Sequence, residues 1–168
     1  MGFMAAGKTT TGKKLAESLN CPFLDLDAYI EEKEGKKIRE IFEEKGEAHF
    51  RTLEENYLED VLEENIVNNP GTLEDLPSID EASEVTTLAS RKCTLVLALG
   101  GGTVTSSICA QLISDLTFGI YLKADIHTIL SRLEKDKGNR PMLELTESIE
   151  RLFEDREPIY ESLARLTI

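Results

Sequence analysis

The stretch Gly2-Phe3-Met4-Ala5-Ala6-Gly7-Lys8-Thr9 decides the fold reading, because it sets two glycines, a lysine and a hydroxyl residue at Walker A spacing. Such a loop turns backbone N–H groups toward a β-phosphate, and the helix that follows points its positive N-terminus at the same group. Lys8 then stands beside the β- and γ-phosphates, and the Thr9 hydroxyl reaches Mg²⁺. Taken alone, these residues also fit a glycine turn ahead of an ordinary helix. Lys8 to Leu19 supplies that helix, with Leu15 and Leu19 four apart on one face.

Working outward, Cys21 to Leu26 is short and apolar, which predicts a buried strand carrying Asp25 and Asp27 at its carboxyl end. Two residues apart on a strand, these carboxylates share a face, and beside the P-loop that face looks into the ligand cleft. One acid can then support the water shell of Mg²⁺ while the other orients and deprotonates an acceptor hydroxyl. Solvated or helix-capping acids are the plainer reading of the same pair. Ile38, Ile41 and Phe42 predict a short helix ending near Gly46, and Phe50, Leu53, Tyr57 and Val61 a second one. On this second helix Arg51 and Glu54 lie three apart, close enough for a salt link that could equally be an ordinary surface pair.

Thr94 to Leu99 predicts a strand running into Gly100-Gly101-Gly102, where missing β-carbons let a ligand approach the main chain, or where the turn is simply mobile. Gly119 to Lys123 predicts another strand, followed by a helix through Ile126, Ile129, Leu130 and Leu133. Strands alternating with helices indicate an α/β fold with a parallel sheet. Asn68 to Lys92 breaks the pattern with Asn-Asn-Pro-Gly, Pro77 and five acids between Glu74 and Glu84, and reads as a surface insertion. Lys135 to Leu145 reads as a charged loop, followed by a helix from about Thr146 and a last helical segment after Pro158.

A chain of 168 residues has the length of one domain, and its hydrophobic content of 40% supports a core without disulfides or metals. No apolar run approaches the roughly 20 residues that span a bilayer, so membrane partners are not expected. The net charge of −13 opposes nucleic acid, and it obliges any anionic ligand to bind in a locally basic cleft. Cys21, Cys93 and Cys109 show neither metal-ligand nor paired spacing, and no basic-then-apolar leader opens the sequence. The expectation is a reduced, cytoplasmic protein, and a monomer.

Four separated signals share an order and approximate spacing. The Gly2 to Thr9 loop, the Phe23-Leu24-Asp25-Leu26-Asp27 strand end, Phe50-Arg51 with Glu54, and Gly100-Gly101-Gly102 together resemble the shikimate kinase family. Arg140-Pro141-Met142-Leu143 is similar to that family's lid motif, and Arg156-Glu157-Pro158-Ile159-Tyr160 to its second substrate-arginine motif. The resemblance covers nearly the whole chain. It implies a P-loop NTPase fold of the nucleoside-monophosphate-kinase-like, doubly wound kind, forming one domain over residues 1–168. A substrate-binding hairpin would occupy about 27–62, the acidic insertion about 68–92 and the lid about 135–145.

The implied activity is transfer of the γ-phosphate of ATP, with Mg²⁺, to the 3-hydroxyl of shikimate in aromatic amino-acid biosynthesis. By this resemblance Asp27 binds the accepting hydroxyl as base, and Arg51 and Arg156 clamp the carboxylate in bidentate fashion. Gly101 contacts ring hydroxyls through its backbone, and Glu54 supports the arginines. Ala5, Ala6, Gly7, Lys8, Thr9 and Thr10 would cradle the nucleotide, with Thr9 and Asp25 at the metal. Lys8 and Arg140 would stabilise the transferring phosphate, and Arg132 is a further candidate for stacking on adenine.

The sequence departs from the family pattern in four ways. Ala5 replaces a usual glycine, and the 68–92 connection is long. The family sheet has order 2-3-1-4-5 with an apolar strand before the P-loop, whereas only Met1 precedes Gly2 here. Its last strand is just beginning at Leu166-Thr167-Ile168. These features read as truncation at both ends or a misplaced start. Another small-molecule kinase of this fold, such as a gluconokinase or nucleotide kinase, and a non-catalytic nucleotide-binding module are the competing readings.

Overall fold

The computed structural model describes residues 1–69, 93–135 and 149–168. Nearly all of the predicted insertion, and the predicted lid with Arg140, lie outside the described residues. Helix α1 (Lys8–Leu19) leaves the P-loop at Gly7, whose φ of 98° only glycine adopts without strain, and ends at the left-handed Asn20. Strand β1 (Phe23–Asp25) follows and pairs in parallel with β2 (Val96–Ala98), in the register Phe23↔Val96, Leu24↔Leu97 and Asp25↔Ala98.

Here the structure corrects the expected strand end. The chain turns into helix α2 (Leu26–Glu34) directly after Asp25, so Asp27 lies in the first turn of a helix rather than on a strand. Asp25 is its N-cap and accepts from the Ala28 N–H at 3.4 Å. Leu26 and Ile30, four apart, bury the inner face of α2.

Helix α3 spans Ile38–Asn68 and is broken at Gly46 (φ 79°, ψ 173°), where the predicted first helix gives way to the second. Glu40 helps start it by accepting from the Lys37 N–H at 2.7 Å. Beyond the break, Phe50, Leu58, Val61 and Leu62 carry α3 into the core. A 3₁₀ turn (Thr103–Thr105) follows the three glycines, and α4 (Ser107–Leu116) is capped by Ser106. Strand β3 (Ile120–Tyr121), α5 (Ile126–Lys135), α6 (Ile149–Leu163) and β4 (Leu166–Thr167) complete the order. Pro158 lies inside α6, so the segment expected to begin after it is part of one helix.

The parallel strands and intervening helices are as expected, but the described residues hold two parallel pairs, β1–β2 and β3–β4, not one continuous sheet. Met1 is laid along β3: its amino group donates to Ile120 O at 2.7 Å, and Leu122 N–H donates to Met1 O at 3.0 Å. No ladder joins the two pairs among the described residues. Packing joins them, because Phe3, Leu26, Leu58, Val104, Tyr121, Ile129 and Tyr160 belong to one core. Phe3 anchors the P-loop in that core, edge-on to Phe153 with ring centroids 5.3 Å apart. No helix among the described residues is long and apolar enough to cross a membrane.

Candidate active site

The P-loop is held from within. Lys8 Nζ donates to Gly2 O and Phe3 O, each at 3.0 Å, and Ala6 N–H closes back on Phe3 O at 3.2 Å. Gly7 offers no side chain to cap α1. Arg132 of α5 reaches across and donates to Ala5 O at 2.9 Å. Ala5 itself sits at φ 59°, in the left-handed region. An L-residue there costs about 1 kcal/mol, part of which glycine returns through its freer unfolded chain. Ala5→Gly is therefore expected to raise Tm by about 2 °C in a thermal melt. An unchanged or lower Tm would contradict the strained conformation.

Thr9 Oγ1 donates to Asp25 Oδ2 at 2.7 Å, which joins the Walker hydroxyl to the N-cap of α2. This pair and Asp27 border an open cleft of about 710 Å³ that also touches Lys13 and Glu31. Burial, reinforced by Glu54 and then Asp25, pushes the Asp27 carboxyl up to about 6, against the pull of Lys8 and Arg51. Asp25 and Asp27 thus share the cleft as expected. They reach it through a helix cap and its first turn instead of strand alternation.

Beyond Asp27 the three glycines form the floor. A β-carbon on Gly100 would lie 2.7 Å from Asp27 Oδ1, 2.8 Å from Glu54 Oε1 and 2.9 Å from Thr103 Oγ1. One on Gly102 would collide with the Arg51 guanidinium at 2.5 Å. Only glycine lets these side chains close on the turn. Glu54 is 1% exposed, and it accepts from Arg51 Nη1 and from Thr103 Oγ1, the latter at 2.6 Å. Its buried charge is thereby paired and hydrogen-bonded, as burial requires. Arg51 Nη2 holds Glu47 at 2.7 Å. From α6, Arg156, 6% exposed, donates to Gly101 O at 3.1 Å, and the Tyr160 hydroxyl donates to the same carbonyl. Burial pulls the Arg156 guanidinium down, and the nearby charge of Arg51 adds to this.

Two arginines therefore converge on one glycine turn, with a buried carboxylate between that turn and α3 and a raised acid beside it. The shikimate kinase family model matches residues 4–72 and 80–168. The chain belongs to the shikimate kinase family. Among relatives, the shikimate kinase of Sulfurihydrogenibium sp. (strain YO3AOP1) is 38% identical over 161 residues, covering 95% of this chain and 80% of that one. Among solved structures, the shikimate kinase of Acinetobacter baumannii in complex with shikimate is 36% identical, with a TM-score of 0.75, covering 99% of this chain and 79% of that one. The enzyme from Bacteroides thetaiotaomicron aligns with a TM-score of 0.75 at 31% identity, covering 100% and 82%.

Of the residues that the shikimate kinase resemblance singles out, Ala5, Ala6, Gly7, Lys8 and Thr9 form the loop, with Thr10 exposed on α1. Asp25, Asp27, Arg51, Glu54, Gly101 and Arg156 gather on one side of it. Arg140 lies outside the described residues. The Gly101 carbonyl accepts from Arg156 and Tyr160. Sequence reasoning missed Thr103 and Glu47, and it quoted Tyr160 only as the end of the Arg156 motif, without a role. Each had a signal: Thr103 follows the glycines, Tyr160 stands four after Arg156, and Glu47 four before Arg51.

Proposed function

We propose that this chain transfers the γ-phosphate of ATP to the 3-hydroxyl of shikimate. The observation that carries the reading is the convergence of Arg51 and Arg156 on the Gly100–Gly102 turn, beside Asp27. Two guanidiniums suit a carboxylated acceptor, which argues against a gluconokinase-like or nucleotide substrate lacking a matching carboxylate geometry. Asp27 accepts the proton of the attacking hydroxyl, and Glu54 fixes the Arg51 fork. Lys8 moves from the loop carbonyls to the β- and γ-phosphates, and Arg140 adds charge from the lid side. Hydroxyl and carboxylate oxygens from Thr9 and Asp25, already 2.7 Å apart, fit a hard cation, and Mg²⁺ there would neutralise phosphate charge. The acceptor hairpin is about 27–62, and the enzyme works as a cytoplasmic monomer.

A coupled assay for ADP release tests the reaction, with shikimate, gluconate and nucleoside monophosphates compared as acceptors. Shikimate-dependent release is expected. ATP binding without transfer to any acceptor would instead favour a nucleotide-binding module. Arg51→Lys is expected to raise KM for shikimate by roughly tenfold or more, because a planar fork becomes a point charge. An unchanged KM would return Arg51 to a structural pair with Glu54.

A further inference from the structure

The cysteines have no paired spacing in sequence, yet the fold brings Cys21 and Cys93 to an Sγ–Sγ separation of 2.7 Å. A disulfide bond measures about 2.05 Å, so little movement separates the two states. Both residues are half-buried, whereas Cys109 is fully buried in the core. The Cys21 backbone is fixed just before the first rung of the β1–β2 ladder, and Cys93 lies three residues ahead of Val96 on the approach to β2. Cys21 N–H donates to Ala16 O at 3.0 Å, and Val96 N–H donates to Pro22 O at 2.9 Å, directly ahead of the Phe23↔Val96 pair. An open hollow lined by Lys13, Ala16, Glu17, Asn20 and Pro22 reaches Cys21 from solvent. No group of three or more metal-ligating side chains forms among the described residues, so the two thiols are not part of such a cluster.

We propose that Cys21 and Cys93 are a redox modification site that closes reversibly into an intrachain disulfide under small-molecule disulfide oxidants. The Cys21 thiolate attacks one sulfur of the oxidant RSSR and releases RS⁻. Cys93 then gives up its proton to the solvent and attacks the Cys21 sulfur of the mixed disulfide, expelling the second RS⁻. Two protein thiols are oxidised by two electrons, and RSSR is reduced to two thiols that take up the protons. Burial, then the hydrogen bond with Cys21, push the Cys93 thiol up to about 12, so the closing step is favoured by alkaline pH. The bond ties the end of α1 to the approach of β2 across α2 and α3, which restricts the unfolded chain over a long loop.

The test uses the full chain, reduced and then incubated with oxidised glutathione at about pH 8. Thiols titrated after unfolding are expected to fall from three to one, and the intact mass to drop by two hydrogens. Digestion should release a peptide pair joined through Cys21 and Cys93, and dithiothreitol should reverse both changes. Tm of the oxidised form is expected to rise by about 10 °C over the reduced form. Cys21→Ser and Cys93→Ser should each abolish the two-hydrogen loss. Should either variant fail to fold, the peptide map of the parent chain decides. Three remaining thiols, a persistent glutathione adduct without the internal bond, a link to Cys109 or a disulfide between chains would each overturn the proposal.

Discussion

Lys8→Ala is expected to lower shikimate-dependent turnover by on the order of 10²- to 10³-fold or more. Phosphoryl transfer offers little covalent chemistry for the protein to perform, so the rate rests on positive charge placed where the γ-phosphate develops its own. Lys8 also holds Gly2 O and Phe3 O in the structure, so alanine removes both the cation and a tie within the loop. Affinity for ATP should fall together with turnover. The coupled ADP assay measures the first and equilibrium titration with nucleotide the second, on a variant whose circular dichroism matches the parent. Activity within a few-fold of the parent would remove the P-loop reading altogether.

Asp27→Asn is expected to lower kcat by roughly 10²- to 10⁴-fold while ATP still binds, because asparagine can hydrogen-bond the acceptor hydroxyl but cannot take its proton. Loss of ATP affinity instead would place Asp27 with Thr9 and Asp25 at the metal. In the parent, kcat/KM should fall below pH of about 6, where Asp27 protonates. The same shift has a consequence for stability. The folded carboxyl titrates near 6 and the unfolded one near 3.8, so between these values the folded chain holds more protons than the unfolded one. Stability therefore declines as pH rises through that window. The cost, roughly 2 to 3 kcal/mol, is fully present above it. Asp27→Asn should thus melt later than the parent at pH 7.5 while working far more slowly. A variant that melts earlier would show that the Asp27 charge is satisfied in the folded state.

The parts of this architecture that local chemistry dictates were legible from residues. Helix α1 follows from a glycine loop and a 3.6-residue period, and its bounds match the expectation. The break at Gly46 was visible as the end of one apolar stripe and the start of another. Helix α2 was missed because Leu26 and Asp27 continue the strand-like alternation of Phe23 to Asp25. The stronger signal was Asp25 as a cap, with Leu26 and Ile30 one turn apart. The pairing of Glu54 with Thr103, 49 residues away, has no local signature. Neither does the approach of Cys21 to Cys93, since each depends on which strands become neighbours. Arg51 was ambiguous in sequence between surface and site. Its burial against Gly102 is a tertiary fact, and only the side-chain-free turn makes it possible.

That turn also limits how the enzyme can diversify. At Gly100 and Gly102 a β-carbon would enter space held by the side-chain ends of Asp27, Glu54, Thr103 or Arg51, so any other residue there must displace the groups that make the site. A lineage that keeps those groups in place would vary its acceptor through other side chains of α2, α3 or α6.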